Sequence, residues 1–284
     1  MASLSSLLRL MRPINCVMMG LAVLVGAALA PPTPLPQDGW LLLLNAFLTA
    51  FALTGSAMAL NDYYDRDIDA ANEPNRPIPS GAVSPSEALV LFVFLSALGL
   101  TTALACSPSC LAAAAFAWVV MSLYSTKGKK TGLPGNMLVS TCVSLPFVYG
   151  PLALGGIIPL QSVLFACMAF LSNTAREVVK GITDIQGDSA AGVRTIAVSR
   201  GARAAAVLST ALNMGAVALS ILPWKTGQVS ILYVPLIAVS DAGFLTSSTF
   251  LLLNPEKSRA RSVKNLMLAW MLLSLIGFFA GSLR

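Results

Sequence analysis

Four aspartates fall within the stretch Asn61 to Asp69, which reads Asn-Asp-Tyr-Tyr-Asp-Arg-Asp-Ile-Asp. At about 100° per residue, Asp62, Asp65 and Asp69 lie within about 60° of one another on a helix, whereas Asp67 points away. Like charges this close repel, so stability explains the arrangement poorly. A cation, or a cation carrying an anionic ligand, removes the cost, and the stretch reads as a metal site. Histidine is absent from the chain, which removes the commonest general base and metal ligand and leaves oxygen to hold the ion. Hard oxygen donors without imidazole or thiolate suit Mg²⁺, which keeps some waters and commonly bridges to substrate phosphates; an all-protein cage would suit Ca²⁺ better.

A second polar set runs from Asn173 to Asp188. On a helix, Asp188 and Lys180 lie about 40° to either side of Asp184, and Glu177 and Asn173 within about 20° of it. Two aligned sets in a chain with only 11% charged residues favour function over coincidence. A diphosphate fits between two such helices, each loaded with Mg²⁺.

The elements that must position these sets are membrane helices. With 56% hydrophobic residues and a mean hydropathy of +0.77, the 284-residue chain is too apolar for an ordinary soluble domain. Hydropathy gives nine spans of about the length that crosses ~30 Å of hydrocarbon. They lie near 13–31, 39–60, 86–106, 109–126, 135–154, 159–180, 202–222, 229–253 and 264–282. The expectation is an all-α polytopic membrane protein, nine transmembrane helices in one bundle and one domain over residues 1–284, with motif-bearing segments near 61–85 and 173–200. The first apolar run, Ile14 to Ala30, shows no clear cleavage pattern and reads as the first helix. With the N-terminus in the cytoplasm, all but Lys225 and Arg284 of the 18 lysines and arginines fall on the cytoplasmic side, as the positive-inside rule requires. The C-terminus is then outside, and both acidic sets face the cytoplasm. The net charge of +6 suits anionic membrane lipids, to which the cluster from Lys257 to Lys264 is assigned; no nucleic acid is expected as a partner. The five cysteines are scattered and mostly apolar in setting, and Cys106 and Cys110 could pair across a Ser-Pro-Ser turn only in an oxidising compartment. The two acidic sets, four spans apart, suggest a duplicated plan without a clear sequence repeat.

Asn61, Asp62, Asp65 and Asp69, followed by Arg76-Pro77-Ile78-Pro79-Ser80-Gly81, resemble the first signature of the UbiA superfamily of intramembrane prenyltransferases. Lys180, Asp184, Gly187 and Asp188, then Gly192, Arg194 and Thr195, resemble the second. The likeness extends over nearly the whole chain, with one departure: many members have Asp directly after the Lys, where this chain has Gly181. Within the superfamily, Arg12-Pro13-Ile14-Asn15, Lys129-Lys130-Thr131-Gly132-Leu133-Pro134-Gly135-Asn136 and Ala175-Arg176-Glu177 are most similar to the archaeal branch that makes ether lipids. That branch moves a geranylgeranyl group from geranylgeranyl diphosphate to geranylgeranylglyceryl phosphate. Members acting on quinone precursors or chlorophyllide share the metal machinery.

The resemblance implies that Asp62, Asp65 and Asp69 hold one Mg²⁺ and Asp184 and Asp188 a second, the two ions bridging the diphosphate, with Asn61 assisting and Glu177 one turn back on the same face. Arg76, Lys127 and Lys180 are candidates for contact with the diphosphate. Arg12, Lys129 or Lys130 could meet the acceptor's phosphate, and Asn15 could hydrogen-bond a hydroxyl. Tyr124 could stabilise the allylic cation by its ring face or serve as an interfacial anchor. Asp241, near the middle of a span, is left outside the site. A cation transporter is the rival from another class, but transport sites usually lie near the bilayer midplane, and these carboxylates lie at helix ends.

Overall fold

The computed structural model describes residues 2–30, 37–190 and 192–283, and among them every regular element is helical. The helices are α1 (Leu4–Met11), α2 (Pro13–Ala28), α3 (Gly39–Asn72), α4 (Pro85–Cys106), α5 (Pro108–Thr126), α6 (Leu133–Ala153), α7 (Leu160–Thr183), α8 (Ile185–Ala190), α9 (Ile196–Lys225), α10 (Tyr233–Leu253) and α11 (Lys257–Ser282), with a 3₁₀ turn at Gly128–Thr131. Eight of them, α3 to α7 and α9 to α11, are long and apolar enough to cross a membrane. The pair α1 and α2, bent by 51°, makes up to nine.

The departures from the hydropathy reading have local causes. The first span stops at Ala28 rather than residue 31; residues 31–36 of the expected Pro-rich turn, and Arg284 of the expected outer charges, lie outside the described residues. Proline disfavours the α conformation in the residue before it, so α1 ends at Arg12, which takes φ 53° and ψ 68° and donates its N–H to the Leu8 carbonyl. This residue is the one non-glycine with positive φ among those described. The second span continues well past residue 60, because nothing between Asn61 and Asn72 breaks a helix; Glu73 and Pro74 end it. At ~1.5 Å per residue, the 34 residues of α3 leave roughly a dozen beyond the ~30 Å of hydrocarbon. In α9, Gly201 at φ 86° breaks the helical path just before the expected span 202–222.

By packing, the chain divides into two compact units, Met1–Lys127 with Tyr149–Ile157, and Gly128–Val148 with Ile158–Arg284. In the first, Leu10 of α1 joins Ala59 of α3, Ile78 and Val83 of the following loop and Ala88 of α4 in one buried cluster. A second cluster joins Val23, Ala46, Ala103, Cys110, Ala114, Tyr149 and Ala153. All five cysteines are free thiols. Small residues let the helices approach closely: a Cβ on Gly150 would overlap the backbone of Val23 and Ala27.

In the second unit, Ala175, Val178, Val179 and Ile182 of α7 pack with Ala205 and Ala206 of α9, Phe244 and Leu251 of α10, and Ala260, Val263 and Met267 of α11. Phe165 stacks on Phe278 at 3.9 Å between centroids, with Phe147 edge-on to both. Polar side chains in this interior pair across helices, as they must in an apolar medium. Asn173 and Thr174 both reach Ser140 Oγ, and Asn213 donates to Ser248. Asp241 accepts a 2.7 Å hydrogen bond from Ser220 Oγ, so its partner is Ser220 and not its neighbour Ser240, which contacts Trp270 and Ser274 instead.

Candidate active site

The extension of α3 presents Asp62, Asp65 and Asp69 on its covered face, at 3, 5 and 6% exposure. Asp67 points outward beside Arg66, its side chain 86% exposed, as helical spacing requires. Two arginines meet the covered face. Arg12, at the bend between α1 and α2, donates to Asp62 Oδ1 at 2.6 Å and also lies 3.4 Å from Met58 Sδ. Arg76 donates to Asp69 Oδ2 at 2.5 Å and comes within 3.7 Å of Asp62 Oδ1. Asn61 Nδ2 donates to Asp65 Oδ2 at 2.8 Å.

Local structure explains why Arg76 points there. Ser80 N bonds to Arg76 O, Val83 N to Pro77 O, and Gly81 N to Ile78 O, with Gly81 at φ 74° closing the turn. Ile78 and Val83 anchor that loop in the cluster around Leu10. Arg9 adds a bond to Asn75 O, and Ala2 N donates to Glu87, which also caps α4 with Ser84. The N-terminal segment thus clamps the loop that carries Arg76. Burial opposes the charge of Arg76, but Asp69 and Asp62 more than offset it and hold the guanidinium above its ordinary value.

The second set differs in form. The face was expected to continue along one helix to Asp188, but α7 ends at Thr183, and Asp184 takes φ −116° and ψ 13° before α8 begins. The bond from Asp188 N to Asp184 O, 2.8 Å, keeps the two aspartates one turn apart. Asp184 is exposed and Asp188 half-buried. Burial and the charge of Asp184 push the Asp188 carboxyl up to about 6, against the pull of Lys129 and Lys180. Glu177 is buried, and Lys180 Nζ donates to both its oxygens, at 2.9 and 2.7 Å, with Arg176 Nη1 at 3.4 Å. Lys180 and Glu177, two expected ligand groups, are therefore each other's partners here. Gly181 faces Thr195 at ordinary contact distance.

The remaining expected residues are spread over the two units. Asn15 is half-buried in the first turn of α2, Tyr124 is half-buried near the end of α5, and Lys127 is exposed at its C-terminus. Lys130 is exposed in the 3₁₀ turn. That turn is fixed by Gly132, at φ 71°, where a Cβ would overlap the Arg194 carbonyl oxygen, and by Thr131 Oγ1 bonding to Gly128 O. Sequence reasoning missed the pairing of Arg12 with Asp62, and missed Lys264, which interacts electrostatically with Asp184 and Lys180. The signal for the first was Pro13, which forces a bend at Arg12; a contact between α11 and α7 leaves no local signal.

Among the described residues, no three Asp, Glu or Cys side chains converge as in a closed metal cage. The donor set suits Mg²⁺ nonetheless, because that ion is usually held by one or two carboxylates plus waters and substrate phosphate. Buried, acceptor-only oxygens gathered on one helix face, with cations beside them, provide that half-complement.

Eight or nine apolar spans with buried carboxylates and arginines at a helix end define an integral multi-pass membrane protein with a polar, anion-ready site. The chain belongs to the UbiA prenyltransferase family, whose sequence profile matches residues 19–276. It is 36% identical over 292 aligned residues to the digeranylgeranylglyceryl phosphate synthase of Methanosarcina mazei, covering 99% of both chains. A solved structure described as a digeranylgeranylglyceryl phosphate synthase in membranes superposes with a TM-score of 0.78 at 29% identity, covering 98% of both chains. A UbiA homologue from Archaeoglobus fulgidus, bound to GPP and Mg²⁺, shares the fold with a TM-score of 0.65 at 20% identity, over 96% of this chain and 99% of that one.

Proposed function

We propose that this chain is a Mg²⁺-dependent prenyltransferase of a single functional domain that moves a geranylgeranyl group from geranylgeranyl diphosphate to geranylgeranylglyceryl phosphate. The observation that carries the metal-dependent reading is the covered face of Asp62, Asp65 and Asp69 with Arg12 and Arg76 on it. The acceptor reading is supported by the full-length similarity to relatives named for that reaction.

In this reading Asp62, Asp65 and Asp69 hold one ion, and Asp184 and Asp188 a second. Mg²⁺, when bound, neutralises charge that develops on the diphosphate as the allylic C–O bond breaks. Arg76 is pre-oriented by its loop to add a fixed positive charge. Lys180, already charge-paired, sits where it can exchange a Glu177 oxygen for a phosphate oxygen. The acceptor's primary hydroxyl then adds to the allylic carbon and loses its proton to the departing diphosphate or a carboxylate, so no strong base is needed. The distribution of Lys and Arg supports an N-terminus in the cytoplasm, a C-terminus outside and a site towards the cytoplasmic face.

The test is transfer of labelled geranylgeranyl from its diphosphate by purified protein, with and without Mg²⁺, alongside Asp62→Asn and Asp184→Asn. Product on the glycerol phosphate alone, lost without the ion and in both variants, is the expected result. Product only on a quinone precursor or chlorophyllide would overturn the acceptor; ion flux in liposomes with no prenyl product would overturn the enzyme reading.

A further inference from the structure

The first turns of α11 carry Lys257, Arg259, Arg261 and Lys264, and the four cations have different fates. Arg259 lies 4.3 Å over the Phe250 ring and donates to the Phe250 carbonyl at 3.1 Å. Arg203 of α9 donates to the Leu252 carbonyl at 3.3 Å. Both satisfy the last carbonyls of α10, which the helix itself cannot. They are committed to the fold.

Lys257 and Arg261 are four residues apart and share a helix face. With Ser258 and Glu256 they line an open concavity of about 440 Å³. The Glu256 carboxylate accepts a 2.6 Å bond from Asn254 Nδ2 and keeps its charge, so the concavity carries two cations and a hydroxyl as donors against one anion. Just before it in sequence, at the end of α10, Leu253 is 74% exposed. Cations beside an exposed apolar side chain complement a molecule with a phosphate and an acyl or prenyl chain better than a free anion. Lys264 continues the stripe about 5 Å beyond Arg261 along the helix, and its carbonyl accepts from Arg176 Nε of α7 at 3.2 Å. The side chain acts electrostatically on Asp184.

We propose that Lys257, Ser258 and Arg261 form a docking site for the phosphate headgroup of an anionic glycerolipid, with Lys264 continuing the cationic path towards Asp184. That this lipid can be the acceptor rests on the function proposed above; the docking itself does not. The site holds the headgroup by charge-assisted hydrogen bonds from Lys257 and Arg261 while the chains run past the exposed Leu253.

Native mass spectrometry of the full chain in detergent, titrated with dioleoyl phosphatidate or dioleoyl phosphatidylcholine, reads the docking without turnover. Each cation beside a lipid phosphate is worth roughly fivefold, so Lys257→Gln with Arg261→Gln is expected to weaken phosphatidate retention about 25-fold, and Lys257→Gln alone about fivefold. Arg259→Gln lowers the Tm but leaves retention unchanged, which separates docking from folding. Inorganic phosphate in tenfold excess leaves the lipid bound. Equal retention of the two lipids, or equal retention by the double variant, would overturn the site; displacement by phosphate would reduce it to a free-anion site and overturn the lipid assignment. Phosphatidate docking in a protein that transfers no prenyl group supports the site and removes only the acceptor reading.

Discussion

Arg12 offers a test in which the usual order of two substitutions reverses. Its left-handed conformation costs an L-residue about 1–2 kcal/mol, a cost glycine does not bear. Glycine gives back about 0.4–1 kcal/mol through the greater freedom of the unfolded chain. Arg12→Gly should therefore be more stable than Arg12→Ala by about 0.5–1 kcal/mol, although within a helix glycine is ordinarily worse than alanine by about 1 kcal/mol. Both variants lose the same bond to Asp62, so their difference isolates the backbone. Against the wild type, both should lose about 1–2 kcal/mol, less than a fully buried pair would cost, because the Arg12 side chain is 35% exposed and Arg76 still lies 3.7 Å from the same oxygen. Equilibrium unfolding of the detergent-solubilised chain by SDS, followed by circular dichroism, measures all three. An alanine variant as stable as the glycine variant would refute the left-handed bend.

The Glu177 and Lys180 pair predicts a rescue. Lys180→Met strands a buried carboxylate that keeps Arg176 at 3.4 Å and the more distant charge of Lys129, and it should cost about 1–2 kcal/mol after allowance for the 38% exposure of Lys180; adding Glu177→Gln should recover part of the loss in the same unfolding assay. Asp188, raised to about 6, is mostly protonated at pH 5 and mostly ionised at pH 7. Mg²⁺ binding to the carboxylate must then release a proton below pH 6, and apparent affinity should rise towards pH 7 and level off. Calorimetry in buffers of different ionisation heat detects that proton, and a release that persists in Asp188→Asn would assign it elsewhere.

Much of this was legible in the sequence, because both hydropathy and helical spacing are local properties. The spans, the shared face of Asp62, Asp65 and Asp69, and the outward turn of Asp67 follow from composition and a 100° step. The hydropathy span of α3 ends at residue 60 because hydropathy falls at Asn61 while helix propensity does not, and the acidic face continues the same helix. α1 was overlooked for a related reason: eight residues are too few for a hydropathy window. The break at Asp184 escaped a reading that assumed a continuous helix. What the spacing could not show is partner choice. Lys180 bonds to Glu177 rather than standing open, and Arg12 bonds to Asp62, through contacts set by packing between elements.

The uninterrupted run of α3 from Gly39 to Asn72 also restricts how such a chain can change in evolution. One residue inserted between Leu60 and Asn61 would rotate all three aspartates by ~100° and move them ~1.5 Å along the axis, taking them off Arg12 and pulling the Arg76 loop against its anchor at Ile78 and Val83. Only insertions of whole turns, near seven residues, restore the facing, and those displace it by ~10 Å. Length variation in α3 is therefore confined to its Gly39 end, where added residues leave the register of the acidic face to its arginines untouched.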